Sequence, residues 1–129
     1  MTVRVDWDDP DQSILLYTLS CRWTWDEMYE AVDKGIAMTS TVPRKFCIIV
    51  DYQSSQGLPP GAINQFGRIT RLMNPQIELV IIAGGGTLLL SLFNLFLLLS
   101  GNNAPKYCWV SDLDKAYSML AERRAASIK

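Results

Sequence analysis

The chain contains no histidine, so the commonest general base and the commonest metal ligand of proteins are both missing. Its three cysteines, Cys21, Cys47 and Cys108, stand singly. No Cys-x-x-Cys pair offers a metal centre or a redox couple, and three thiols cannot all pair within one chain. Reduced thiols packed in a core are the expectation. No Gly-x-Ser-x-Gly elbow appears, and no Lys follows a glycine-rich turn as in a P-loop. An excess of positive charge is lacking too: the formal net charge is -1, which leaves no electrostatic footprint for nucleic acid. The doublet Arg123-Arg124 suits the C-terminal end of a helix. Asp6, Asp8, Asp9 and Asp11 cluster without the central Gly and distal Glu of a calcium loop, and read as turn chemistry. The opening Met1-Thr2-Val3-Arg4-Val5-Asp6 lacks the charged-then-apolar layout of a secretion signal, so a cytoplasmic protein is expected. Together these absences favour a protein without a metal, a cofactor or a nucleic-acid partner, and one that is not an enzyme.

What the sequence does have is a long uncharged stretch from Leu79 to Leu99. A run of about 18 such residues is the usual signature of a membrane span. Here Gly84-Gly85-Gly86 divides it, and each glycine disfavours helix by about 1 kcal/mol relative to Ala. The first half, Ile77 to Ala83, is rich in Val and Ile at strand length, and Thr87 is a good N-cap for the Leu/Phe half. The run therefore reads as a buried strand, a tight glycine turn and a helix, with no membrane span. The helix is apolar nearly all round: Thr87, Ser91 and Asn94 form one narrow polar stripe among Leu and Phe residues. Such a helix needs cover on more than one side. Leu89, Leu92, Phe93, Phe96 and Leu97 are therefore the expected interaction surface, buried by a second copy, another protein or an apolar small molecule.

The rest of the chain alternates strands and helices. Val3, Val5 and Trp7 have strand period, Asp8-Asp9-Pro10-Asp11 breaks it, and Ile14 to Leu19 resumes it, predicting a hairpin. Thr24-Trp25-Asp26-Glu27 is a capping box that should start a helix at Trp25, with Met28, Tyr29, Val32 and Ile36 on its apolar face. Phe46 to Val50 is a continuous apolar run suited to a central strand covered on both faces. It should end at Asp51, followed by a polar loop through Leu58 at the strand's carboxyl end, where ligands and switches gather in α/β sheets. Pro59-Pro60 can open a helix whose buried face holds Ala62, Ile63, Phe66, Ile69 and Met73, with Asn74-Pro75 stopping it. Lys106 to Val110 is the last strand, and Ser111-Asp112-Leu113-Asp114 resembles a capping box for the last helix. The expected fold is α/β in the order β-β-α-β-α-β-α-β-α. Its five-stranded sheet is mainly parallel, with one antiparallel strand. The 129 residues suit one domain, 1–129.

This order, with Phe46 to Asp51 followed by Ser54-Ser55-Gln56-Gly57-Leu58 and the closing Tyr107-Cys108-Trp109-Val110-Ser111-Asp112-Leu113-Asp114-Lys115-Ala116, resembles STAS domains of the anti-sigma-factor-antagonist type. More narrowly, it resembles the stand-alone bacterial STAS-like proteins often grouped with CRAL-TRIO lipid-binding domains. The resemblance implies a regulatory, protein-binding role and a phosphorylatable serine in an Asp-Ser-Ser-Gly-Leu motif. Here no Asp directly precedes Ser54, Gln56 intervenes before Gly57, and Pro59-Pro60 shift the helix start downstream.

The chain offers three candidate sites. Asp51, Ser54, Ser55 and Gly57 form a candidate switch or ligand loop; phosphate on Ser55 would place negative charge near a helix N-terminus. Gly84, Gly85, Gly86 and Thr87 form a candidate anion-binding turn through backbone amides. The Leu/Phe helix, 87–100, is the candidate interface of a homodimer. The leading expectation is a protein-interaction module, the alternative a binder of a lipid or other apolar small molecule. For an enzyme, Asp51, Ser54 and Ser55 are the converging polar candidates, without a visible base.

Overall fold

The structure is a computed structural model that describes residues 3–8, 13–40, 45–55, 60–61, 64–65, 67–69, 77–84, 91, 94 and 107–128. Five strands form one sheet in chain order: β1 (Val3–Trp7), β2 (Ile14–Cys21), β3 (Phe46–Ser55), β4 (Ile77–Ala83) and β5 (Tyr107–Val110). The hairpin is present: β1 runs antiparallel to β2, with Val3 opposite Leu19 and Val5 opposite Tyr17. The other three pairings are parallel. Helix α1 (Trp25–Thr39) links β2 to β3, and helix α2 (Leu113–Ile128) follows β5.

Side-chain alternation splits the core into two layers. On β3, Phe46, Ile48 and Tyr52 face one side with Val80 and Ile82 of β4. Cys47 and Ile49 face the other with Leu79 and Ile81. Ile49 and Ile81, adjacent at the sheet's centre, are both 0% exposed, as the continuous apolar runs require. The first face is covered by Met28, Ala31 and Val32 of α1 and by Ile69. The second is covered by Ala116 and Leu120 of α2. Because successive crossovers step the same way along the sheet, right-handed connections carry α1 and the segment holding Ile69 to one face.

The capping box forms as expected. Glu27 N–H donates to Thr24 Oγ1 at 3.2 Å and Thr24 N–H to Glu27 Oε1 at 3.1 Å, and α1 begins at Trp25. At α2 the cap falls one residue later than the Ser111 box implies. Asp112 Oδ1 accepts Lys115 N–H at 2.9 Å, because Asp112 directly precedes the first helical residue.

Three further expectations change. Asp51 to Ser55 is strand rather than loop, because β2 pairs with β3 as far as Cys21 opposite Ser55. Cys21 is exposed and so is no core thiol, whereas Cys47 is buried; none of the three cysteines is in a disulfide. Ile36 is 38% exposed, at the edge of α1's apolar face, while the neighbouring Gly35 is buried. Among the described residues, no helix is long and apolar enough to cross a membrane.

Candidate functional site

An apolar cavity of about 80 Å³ lies between α1 and the first face of the sheet. The sheet supplies its floor through Leu15, Ile48, Val80 and Ile82, and α1 its roof through Met28, Val32 and Ile36. Ile69 closes a further wall, and the cavity is partly open to solvent. Among the described residues lining it, none is charged. The lining reflects the two periods: the strands turn every second residue to this face, and α1 every third or fourth.

Gly35 lets the helix come close. A Cβ there would overlap the Tyr17 Oη and press on Leu15 Cδ2 at 3.3 Å. Tyr17 is only 7% exposed and Tyr52 only 3%, and both line the cavity. Removal from water holds both phenols well above the usual tyrosine pKa; for Tyr52 the nearby Tyr107 adds to the effect. Among the described residues, neither hydroxyl makes a hydrogen bond. Thr39, by contrast, gives its hydroxyl to the α1 carbonyls of Gly35 at 3.0 Å and Ile36 at 3.2 Å.

A second, polar arrangement occupies the carboxyl ends of the strands. Trp23 Nε1 donates to Ser55 Oγ at 2.8 Å, and the Trp23 ring meets Trp25 edge-on at 4.8 Å and Tyr52 at 6.2 Å. Trp25 Nε1 donates to the Pro60 carbonyl at 2.8 Å, and the Tyr29 hydroxyl donates to Gln65 Oε1. Ser54 is exposed and Ser55 half-buried. The proposed phosphate acceptor Ser55 is thus engaged with an indole, whereas Ser54 faces solvent. Asp51 is half-buried, and its Oδ1 accepts Gln53 N–H at 2.9 Å. Gly57 lies outside the described residues.

At the glycine turn, Gly84 adopts φ +88°. Its N–H donates to the Val110 carbonyl at 3.0 Å, and its carbonyl accepts Trp109 Nε1 at 2.9 Å. The Gly84 amide is therefore not offered to an anion, because it ties β4 to the end of β5. Gly85, Gly86 and Thr87 lie outside the described residues, as do Leu89, Leu92, Phe93, Phe96 and Leu97. Ser91 and Asn94, the middle and end of the polar stripe, are helical and exposed. Among the described residues, no group of three or more acidic or thiol side chains could hold a metal ion.

The α1-face cavity is not among the sites expected from the sequence, where the apolar residues of α1 read as ordinary core and the Leu/Phe run stood out instead. The available signal was Gly35 itself, a glycine inside an otherwise sound helix, which disfavours helix by about 1 kcal/mol unless close packing requires it.

No protein-family model matches the sequence, and no curated protein matches it. Among solved structures, the chain is similar to an uncharacterized protein of the DUF3478 family from Shewanella loihica PV-4, described as having a SpoIIAA-like fold. The TM-score is 0.65 at 13% identity, over 92% of this chain and 91% of that one. The fold is therefore SpoIIAA-like, the STAS-like class that the element order suggested. At this identity the likeness is one of fold.

Proposed function

We propose that this chain is a non-enzymatic, STAS-like binding module whose α1-face cavity takes an apolar small molecule, or the apolar end of one. The observation that carries this reading is the cavity of about 80 Å³ beneath α1, whose described lining residues carry no charge. Interiors are normally close-packed. At about 24 cal/mol per Å³, a void of this size left unfilled would destabilise the fold by about 2 kcal/mol. A guest that fills it recovers dispersion contacts and removes its own apolar surface from water. An apolar cavity about twice as large binds benzene in another protein, so this one suits a branched four- or five-carbon group or the end of a longer chain. Native mass spectrometry of the purified protein, with solvent extraction, tests the reading. A retained apolar compound, or saturable methyl shifts around Val32, Ile48 and Val80 on adding 2-methyl-1-butene, is expected. Absence of both would overturn it.

The second reading is an interaction module that homodimerises through 87–100, a regulatory role in keeping with the resemblance. Its support is the composition of that run, in which Ser91 and Asn94 are the polar interruptions between Leu88 and Leu99. If about four of those side chains lay outside the fold's own core, the apolar patch would reach several hundred Å², more than lone proteins usually expose. Light scattering should then show a dimer that Phe93→Asp or Phe96→Asp dissociates without loss of the β-sheet signal. A monomer at high micromolar concentration would count against it.

A further inference from the structure

Tyr17 presents a contradiction inside the cavity. It projects from β2 into an almost wholly apolar space, and Gly35 sets α1 directly against its hydroxyl. Buried tyrosines usually find a partner for that hydroxyl. Tyr17 has none among the described residues, yet its Oη is not sealed off, since among the described residues no buried polar side-chain atom is left without a partner. Because Tyr17 lines the cavity, a guest there lies beside this side chain. Tyr52 and Tyr107 also line the cavity, and Tyr52 packs against Trp23.

Resting on the binding reading above, we propose that the guest is a neutral molecule with one oxygen acceptor, such as a ketone, ester or ether, and that Tyr17 Oη–H donates a hydrogen bond to that oxygen. Neutrality follows from the described part of the walls. No described lining residue is charged, and an ionised carboxylate would lose its hydration with no cation among the described lining residues to replace it. A pure hydrocarbon would instead leave the phenol dry and unpartnered, which is unfavourable for a buried donor. The apolar floor and the Tyr17 hydroxyl together suit an apolar body carrying one acceptor, the pattern of most small-molecule pockets.

The test compares 2-butanone with 2-methyl-1-butene, in which a CH₂ replaces the oxygen, by titration of methyl-labelled protein followed by NMR. Tyr17→Phe is expected to weaken 2-butanone by roughly three- to tenfold, the range for one net hydrogen bond. It should leave 2-methyl-1-butene within about twofold, because apolar burial is unchanged. Tyr52→Phe alters another wall of the same cavity and should weaken 2-butanone less than Tyr17→Phe does. In the unmodified protein, 2-butanone should move the Tyr17 Cζ resonance and 2-methyl-1-butene should not; this readout does not depend on any variant folding. If both probes bind but Tyr17→Phe weakens them equally or not at all, or if Tyr52→Phe removes the ketone's binding instead, the assignment of Tyr17 is overturned while the cavity reading stands. If neither probe binds, both fall.

Discussion

The hydroxyl of Tyr17 occupies the space where a side chain at position 35 would begin, so β2 and α1 are fitted to each other through the absence of one methyl group. Gly35→Ala should therefore destabilise the fold despite the better helix propensity of Ala, which favours it by about 1 kcal/mol. Overpacking of a tight core costs about 1–3 kcal/mol, so a net loss of up to about 2 kcal/mol is expected in urea unfolding. In a Tyr17→Phe background, where the overlapping oxygen is gone, Gly35→Ala should cost less, the remaining tight approaches being to the ring Cζ at 3.1 Å and Leu15 Cδ2 at 3.3 Å. A double-mutant cycle with coupling below about 0.5 kcal/mol would show that the two residues do not constrain each other.

The same burial predicts alkaline sensitivity. In the folded protein Tyr17 and Tyr52 hold their protons well above the usual tyrosine range because burial disfavours the phenolate. In the unfolded chain they ionise near pH 10. Below that pH both states are protonated and stability is independent of these groups. Above it the unfolded state loses protons that the folded state keeps, so stability falls as pH rises. Each such tyrosine contributes a slope of about 1.4 kcal/mol per pH unit above pH 10. Tyr117, whose pKa is raised to about 12 by partial burial and its hydrogen bond to Asp8 Oδ1, is largely solvent-screened and should add less. Unfolding free energies measured from pH 8 to 11 should be flat and then descend, and Tyr17→Phe should make the descent shallower. An unchanged slope in that variant would show that Tyr17 is not protected from ionising.

Helix α1 is held at its start by the reciprocal pair Thr24 and Glu27. Thr24→Ala should cost about 1 kcal/mol, and Thr24→Ser should restore most of it. Because α1 roofs the cavity, the alanine variant should also weaken probe binding in proportion to the fraying of the first turn. Equal melting temperatures for the three proteins would exclude a role for this cap in stability.

Much of the fold was legible because the residues that define it act locally. Thr24 and Glu27 satisfy each other's backbone within four residues, and the alternation of Phe46, Ile48 and Tyr52 against Cys47 and Ile49 is a property of any strand. Less legible were features set by partners far away in the chain. Whether Asp51 to Ser55 continues β3 depends on Ser20 and Cys21 lying alongside, and no local pattern at 51–55 encodes that. The cavity is of the same kind: its floor comes from three strands and its roof from α1, and the sequence marks it only by one glycine in a helix and one phenol in a strand.

Gly84 and Gln53 form the junction on which the last strand and α2 depend. Gly84 has φ +88°, a region that disfavours side chains by roughly 1–2 kcal/mol, and an added Cβ would stand 3.0 Å from both Gln53 N and Gln53 Cγ. That backbone cannot readily withdraw, because Gln53 N–H is held by Asp51 Oδ1 at 2.9 Å. Gln53 Oε1 in turn accepts the N–H of Leu113, the first residue of α2. Gly84→Ala should thus combine backbone strain with displacement of Gln53, and cost at least about 2 kcal/mol. Gln53→Ala removes only the acceptor and should cost about 1 kcal/mol. Hydrogen exchange separates the two effects. Gln53→Ala should speed exchange at the Leu113 amide and leave the Gly84 amide protected by Val110, whereas Gly84→Ala should speed both. If Gly84→Ala is as stable as the parent protein, the close approach of Gln53 does not constrain this corner.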